Sequence, residues 1–213
     1  MDSSDWVSSA NGRALDFDGV NDRVEISPKI QLDLGSLNRT VIIWLNLRSN
    51  KQNPNNSAPI DFGKAGVSGN LQWWGCGIGS TGVAKFYWFS GSLNLLSGTT
   101  VSSLNTWNMV AASLTGNVSL YLNNRLENTV TRTVVSTDTG TPYLIGNAIG
   151  YATDGQIGDV AILGYGLSGA EISRLYELGP HGLGRLVIQQ DRKANIFDAQ
   201  SGSKRRRILT GMP

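Results

Sequence analysis

General acid–base chemistry needs two titratable groups within reach of each other, and this chain distributes such groups unevenly. No Asp or Glu occurs between residues 62 and 126, Glu127 then stands alone at an expected turn, and His181 is the single histidine. A Ser-His-Asp arrangement would have to recruit that histidine from outside the expected domain. Cys76 is the lone cysteine, so one chain can form neither a disulfide nor a thiolate metal cluster. The expectation is a non-catalytic protein, one that binds and does not transform.

Three groups of residues could do the binding. Asp16, Asp18, Asn21 and Asp22 crowd one turn. Hard cations take several oxygen ligands from carboxylates and carbonyls, but Asp and Asn are also ordinary turn formers, so a structural Ca2+ and a plain Asx-rich turn both remain open. Trp73, Trp74, Tyr87, Trp88 and Phe89 fall within two adjacent expected strands. Strand neighbours point to opposite faces, so one of Trp73/Trp74 and one of Tyr87/Trp88 faces away from the core. Trp73, Trp74, Tyr87 and Trp88 are therefore candidates for stacking against a sugar. The competing reading gives one face to the core and the other to covering loops or a neighbouring subunit, since aromatics are enriched at interfaces. Trp44 and Trp107 sit in apolar strands and are expected core. The third group is the run Lys204, Arg205, Arg206 and Arg207 behind a Gly/Ser spacer. It could meet phosphates, dock on an acidic partner protein or be a solvated end; partner binding is the reading adopted, in preference to nucleic acid.

The elements that would position these groups are mostly strands. With 40% hydrophobic and 16% charged residues and 26 glycines, the 213-residue chain is folded and turn-rich. Short β-branched and aromatic runs bounded by Gly, Asn, Asp and Ser predict strands near Ala14–Phe17, Arg23–Ile26, Thr40–Leu47, Ile60–Phe62, Leu71–Ile78, Val83–Phe89, Trp107–Leu114, Val118–Leu122, Tyr143–Ile145 and Gln156–Leu163. Tyr121–Leu126 reads as a hairpin with an Asn-Asn turn. Ser168 and Glu171 form a capping box for one helix presenting Ile172, Leu175 and Tyr176 on a face, which Gly179-Pro180 stops. Residues 1–180 carry 11 Lys+Arg against 14 Asp+Glu and residues 181–213 carry 7 against 2, so the positive charge lies in the tail. The expected organisation is an N-terminal segment 1–13, a sandwich domain 14–179 and a basic C-terminal extension 180–213, within which Arg185–Gln190 could add a strand. Met1–Ala10 has no basic segment followed by an apolar stretch, so no secretory signal is expected, and no apolar run is long enough to span a bilayer.

Leu15–Ile26 (LDFDGVNDRVEI), Trp107–Leu122 (WNMVAASLTGNVSLYL) and Gly155–Tyr176 (GQIGDVAILGYGLSGAEISRLY) resemble, in order and spacing, the first hairpin, the central strand pair and the closing strand plus helix of laminin G-like domains in the concanavalin A-like lectin/glucanase superfamily. The resemblance implies an all-β, two-sheet antiparallel jelly roll. It also implies a structural Ca2+ where the first hairpin meets the closing strand, with Asp18, Asp22 and Asp159 as ligands. The superfamily's glycanases carry paired carboxylates in a Glu-x-Asp-x-x-Glu-like arrangement, which nothing here matches. The expected role is structural: a jelly roll assembled through its C-terminal extension with other protein subunits into a larger particle, such as a virion, as a decoration, cement or fibre subunit, with self-association an option. The alternative is a carbohydrate-binding or adhesion module that uses exposed aromatics, with a Ca2+-dependent form of it left open.

Overall fold

The computed structural model describes residues 6–9, 12–26, 34, 36–50, 62–64, 73–135, 142–148, 151–180, 182–183 and 194–197. In chain order the strands are β1 (Trp6–Ser9), β2 (Gly12–Asp18), β3 (Val24–Ile26), β4 (Arg39–Leu47), β5 (Phe62–Lys64), β6 (Trp74–Ile78), β7 (Val83–Phe89), β8 (Leu93–Val101), β9 (Trp107–Leu114), β10 (Asn117–Leu122), β11 (Arg125–Thr131), β12 (Tyr143–Ile145), β13 (Asn147–Ala148), β14 (Tyr151–Ala152) and β15 (Asp154–Leu163). Helix α1 (Gly169–Glu177) and strand β16 (Ala194–Phe197) follow. The larger sheet runs β1-β2-β15-β4-β9-β10-β11 with β16 also on β15, the smaller runs β3-β12-β5-β6-β7-β8, and β13-β14 is a separate ribbon. Every pairing is antiparallel, so the all-β sandwich with one helix is as expected.

The central strands of the larger sheet are apolar on both sides, and the reason is a second layer. Val41, Ile43, Leu45 and Leu47 of β4 and Val110, Ala112 and Leu114 of β9 face the core between the sheets. Their neighbours Ile42, Trp44, Met109 and Ala111 pack outward with Ile172 and Leu175 of α1. Strands buried on both faces read as continuous apolar runs. Tyr176 completes the cover by stacking on Trp44, with ring centroids 5.5 Å apart and planes 12° apart. The capping box is present as expected: the Glu171 N–H donates to Ser168 Oγ, and the Ser168 N–H donates to Glu171 Oε2 at 2.8 Å. Gly179 takes φ 75° just past the helix, where a side chain would be strained.

The segments assigned outside the domain overrun its expected limits. β1 pairs with β2 from Trp6↔Leu15 to Ser9↔Gly12, and β16 pairs with the far half of β15 from Val160↔Phe197 to Leu163↔Ala194. The sheet therefore recruits chain from both sides of 14–179, because the edge of β15 beyond its pairing with β2 has backbone groups to satisfy. The expected strand at Arg185–Gln190 lies outside the described residues. The hairpin at 121–126 is present, turning on Asn123 at φ 58°. β8 and β11 were not expected, and Glu127, expected at a turn, is in β11.

Candidate functional site

The larger sheet's outer surface is roofed by α1, so the aromatic side chains that belong to neither core cluster are those on the outer face of the smaller sheet. Register fixes which ones they are. Trp74 pairs with Trp88 and Cys76 with Phe86, and all four lie in the core between the sheets. Trp74 and Trp88 are thus core residues, a correction to their expected role as ligand-binding residues. Trp74 is wholly buried between Phe86 and Tyr143, at centroid distances of 6.4 and 6.0 Å, and Trp88 donates Nε1–H to the Thr133 hydroxyl at 2.9 Å.

Trp73 and Tyr87 therefore take the other face. Row by row across the strands, that face presents Glu25, Leu144, Gly63, Gly75, Tyr87 and Leu95. Gly75 is a floor for Tyr87: a Cβ at position 75 would collide with the phenol ring, and one at Gly79 would sit 2.7 Å from Lys85 Cε. Lys85 follows the same face, opposite Gly77 on one side and Ser97 on the other. It is buried, and desolvation holds its ammonium below the ordinary lysine pKa. Tyr87 is buried too. Trp73 is partly exposed; its ring lies 4.7 Å from Tyr87 at 64° and 4.9 Å from Phe89 at 35°. Across β7 from it, on β8, Leu93 and Leu95 are 51% and 44% exposed. The accessible part of the face is a tryptophan braced by two further rings with two leucines one strand beyond, and no described residue of β5–β8 carries a carboxylate.

The acidic corner is organised differently from expectation. Asp18 lies opposite Asp154 in the β2–β15 register. Asp159 is further along β15, within the irregularity between Ile157 and Val160, and its Oδ2 accepts the Leu183 N–H at 2.9 Å. At about 3.3 Å of rise per residue, Asp159 is far from the Asp18–Asp22 turn and does not join it, a correction to the expected ligand set. Asp18 Oδ1 instead accepts the N–H of Val20 at 2.8 Å and of Asn21 at 3.3 Å, while the Asp18 N–H donates to Asp22 Oδ2 at 3.0 Å. The Val20 N–H above all holds the Asp18 carboxyl below its ordinary pKa. The neighbouring carboxylates are met by Arg48, which donates to Asp16 Oδ1 at 2.5 Å, to Asp154 Oδ1 at 2.7 Å and to the Phe17 carbonyl at 2.6 Å. Ser49 Oγ adds a bond to Asp154 Oδ2 at 2.7 Å. Desolvation works against the Arg48 charge, but these bonds outweigh it and raise its pKa. A guanidinium thus lies between Asp16 and Asp154, while the expected Ca2+ ligands Asp18 and Asp22 each accept a backbone N–H. Among the described residues no three His, Cys, Asp or Glu form a metal-holding group. Lys204, Arg205, Arg206 and Arg207 lie outside the described residues.

Comparison with known proteins agrees with this fold. The family model for laminin G domains of the concanavalin A-like lectin/glucanases superfamily matches residues 18–173, so the chain belongs to that family. No curated protein sequence matches it. Among solved structures it is similar to domain 4 of AbnA, a GH43 extracellular arabinanase from Geobacillus stearothermophilus in complex with arabinotriose, at 16% identity and TM-score 0.62 over 80% of each chain. It is also similar to the heptameric SAP-like pentraxin of Limulus polyphemus, at 16% identity and TM-score 0.55 over 86% of this chain and 90% of that one. A third is the Ruminococcus gnavus IT-sialidase CBM40 bound to alpha2,3 sialyllactose, at 14% identity and TM-score 0.59 over 76% and 97% of the two chains. At these identities the likeness shows the fold.

Proposed function

We propose that this chain is a carbohydrate-binding module that holds a glycan against the outer face of the smaller sheet without transforming it. The observation that carries the reading is the Trp73 ring, partly exposed and held in place by Tyr87 and Phe89 at 4.7 and 4.9 Å. A pre-positioned aromatic surface loses little entropy on binding, which is what stacking against a sugar ring requires. Two of the similar structures were solved with an oligosaccharide bound. The lack of carboxylates on β5–β8 argues for retention of the glycan and against hydrolysis, since glycoside cleavage uses a carboxyl pair. The assembly role expected of Lys204–Arg207 falls outside the described residues, and no observation here favours it.

A glycan array followed by calorimetry on hits tests the reading. Trp73→Ala should weaken binding about tenfold or more, the equivalent of roughly 1.4 kcal/mol, and should lower stability by at least about 1–3 kcal/mol through the two lost ring contacts, so binding is compared with both proteins folded. Leu126→Ala, exposed on the larger sheet, should bind as the parent does. Silence across the array, or a hit indifferent to Trp73→Ala, overturns the proposal.

A further inference from the structure

β8 closes one side of the smaller sheet: β7 pairs with it, and no other described strand does. Edge strands normally carry a lysine, a proline or an inward charge to discourage pairing with another chain. The nine residues of β8, LNLLSGTTV, contain none of these, and Leu93, Leu95 and Val101 are 51%, 44% and 63% exposed. The protection comes from another strand. In the β10–β11 ladder Tyr121 pairs with Leu126 and Leu120 with Asn128, so Glu127 is an extra, bulged residue without an opposite number. Its side chain is fully buried and crosses to β8, where Oε2 accepts the N–H groups of Thr99 and Thr100 at 2.8 Å each and the Thr99 hydroxyl at 3.3 Å. Asn128 Nδ2 donates to the Ser97 carbonyl at 3.0 Å. The stretch of β8 so gripped is itself irregular, since Ser97 pairs with Lys85 but Val101 with Val83. Gly98 leaves the room, for a Cβ there would lie 3.1 Å from Glu127 Oε2 and 3.2 Å from its Cβ.

We infer that Glu127 and Asn128 form a catch that holds β8 bent and keeps its edge closed to a second copy of this chain. A straightened β8 is self-complementary. Paired antiparallel about Ser97, Leu93 would face Val101 and Leu95 would face Thr99, giving the two-fold contact in which one patch meets itself. Released from the catch, the strand offers an uncharged, apolar edge whose backbone groups need partners.

The full chain is tested by size-exclusion chromatography with light scattering at neutral pH, with near-UV circular dichroism to verify folding and amide exchange to locate the edge. The wild type should be monomeric, with Thr99 and Thr100 protected. Glu127→Ala should shift to dimer at tens of micromolar, its Thr99 and Thr100 amides protected only at concentrations where the dimer forms. A folded, monomeric Glu127→Ala overturns the inference, as does a wild type that dimerises equally. Should Glu127→Ala fail to fold, Gly98→Ala, which crowds the carboxylate while retaining it, is read by the same two outcomes.

Discussion

Replacing Arg48 by Met removes a cation from among carboxylates, and the size of the effect follows from how exposed the cluster is. The Arg48, Asp16 and Asp154 side chains are 42%, 36% and 30% exposed, so water screens both ion pairs. Screened pairs contribute about 0.2–1 kcal/mol each. The bond to the Phe17 carbonyl is partly buried and adds about 1 kcal/mol. The variant should lose roughly 1.4–3 kcal/mol, which for a domain of this size lowers Tm by about 3–12 °C. The second consequence is chemical. With Arg48 gone, Asp16 and Asp154 lack their cation beside the Asp18–Asp22 turn, and divalent cations should then stabilise the variant but leave the parent unmoved. At a Kd of about 1 mM, 10 mM CaCl2 would restore about 1.4 kcal/mol. Differential scanning calorimetry of both proteins, with CaCl2 and with EDTA, measures each effect. A parent that CaCl2 stabilises and EDTA destabilises would refute the reasoning, because it would mean the guanidinium does not hold the cation's place. So would a variant as stable as its parent.

Glu127 gives a pH signature. Desolvation pushes its pKa up, but the Thr100 and Thr99 N–H groups outweigh that and leave it lowered. Its contribution to stability is therefore complete above the ordinary glutamate value and is lost as pH falls through the lowered one. Arg125 Nε at 3.6 Å is the charged group beside it; β8 offers no titratable side chain and β10 only Tyr121, which packs on the opposite face of its sheet. Urea unfolding from pH 7 to pH 3 should show an acid-limb loss that is smaller in Glu127→Gln, since Asp18 with its lowered pKa still contributes, and Glu127→Ala should cost about 1–2 kcal/mol at pH 7 through loss of its bonds to the Thr99 and Thr100 N–H groups. Gly75→Ala should cost at least about 1–3 kcal/mol, since its Cβ must displace the Tyr87 ring; thermal denaturation at the parent's Tm would show the floor to be unnecessary. Ser168→Ala should cost about 1 kcal/mol through loss of the helix cap, read in the same denaturation series.

The fold was legible where side chains on a strand are apolar for local reasons. β7 and β9 have the bounds expected from VAKFYWF and WNMVAASL, and the helix was marked by its own capping residues. β8 and β11 were missed because most of their apolar residues point outward: Leu93, Leu95, Leu126 and Val130 are exposed, and Leu96 alone of β8 enters the core, which leaves too little of a buried-face pattern. The aromatic parity was legible, but parity alone does not say which set is inside. A signal existed, for Trp74, Cys76 and Ile78 alternate with Gly75, Gly77 and Gly79, and a core face does not consist of glycine. The placement of Arg48 had no such signal. Its partners Asp16 and Asp154 lie 32 and 106 residues away, and only the β2–β15–β4 ladder brings them together.

The two outer surfaces of the sandwich explain why the candidate site is where it is. A strand apolar on both sides must be covered twice, and α1 with Leu167 and Leu183 supplies the second cover for β4, β9 and β15. That commitment removes the outside of the larger sheet from binding duty. On the smaller sheet Gly75 and Gly79 leave a floor on which the Tyr87 ring and the Lys85 stem lie, and Trp73 is braced against Tyr87. Filling that floor with methyl groups would improve strand propensity yet raise the rings off the sheet. Keeping Gly75 and Gly79 sacrifices strand propensity in exchange for the fixed placement of Tyr87 and Lys85, and with Tyr87 in place the Trp73 ring is braced.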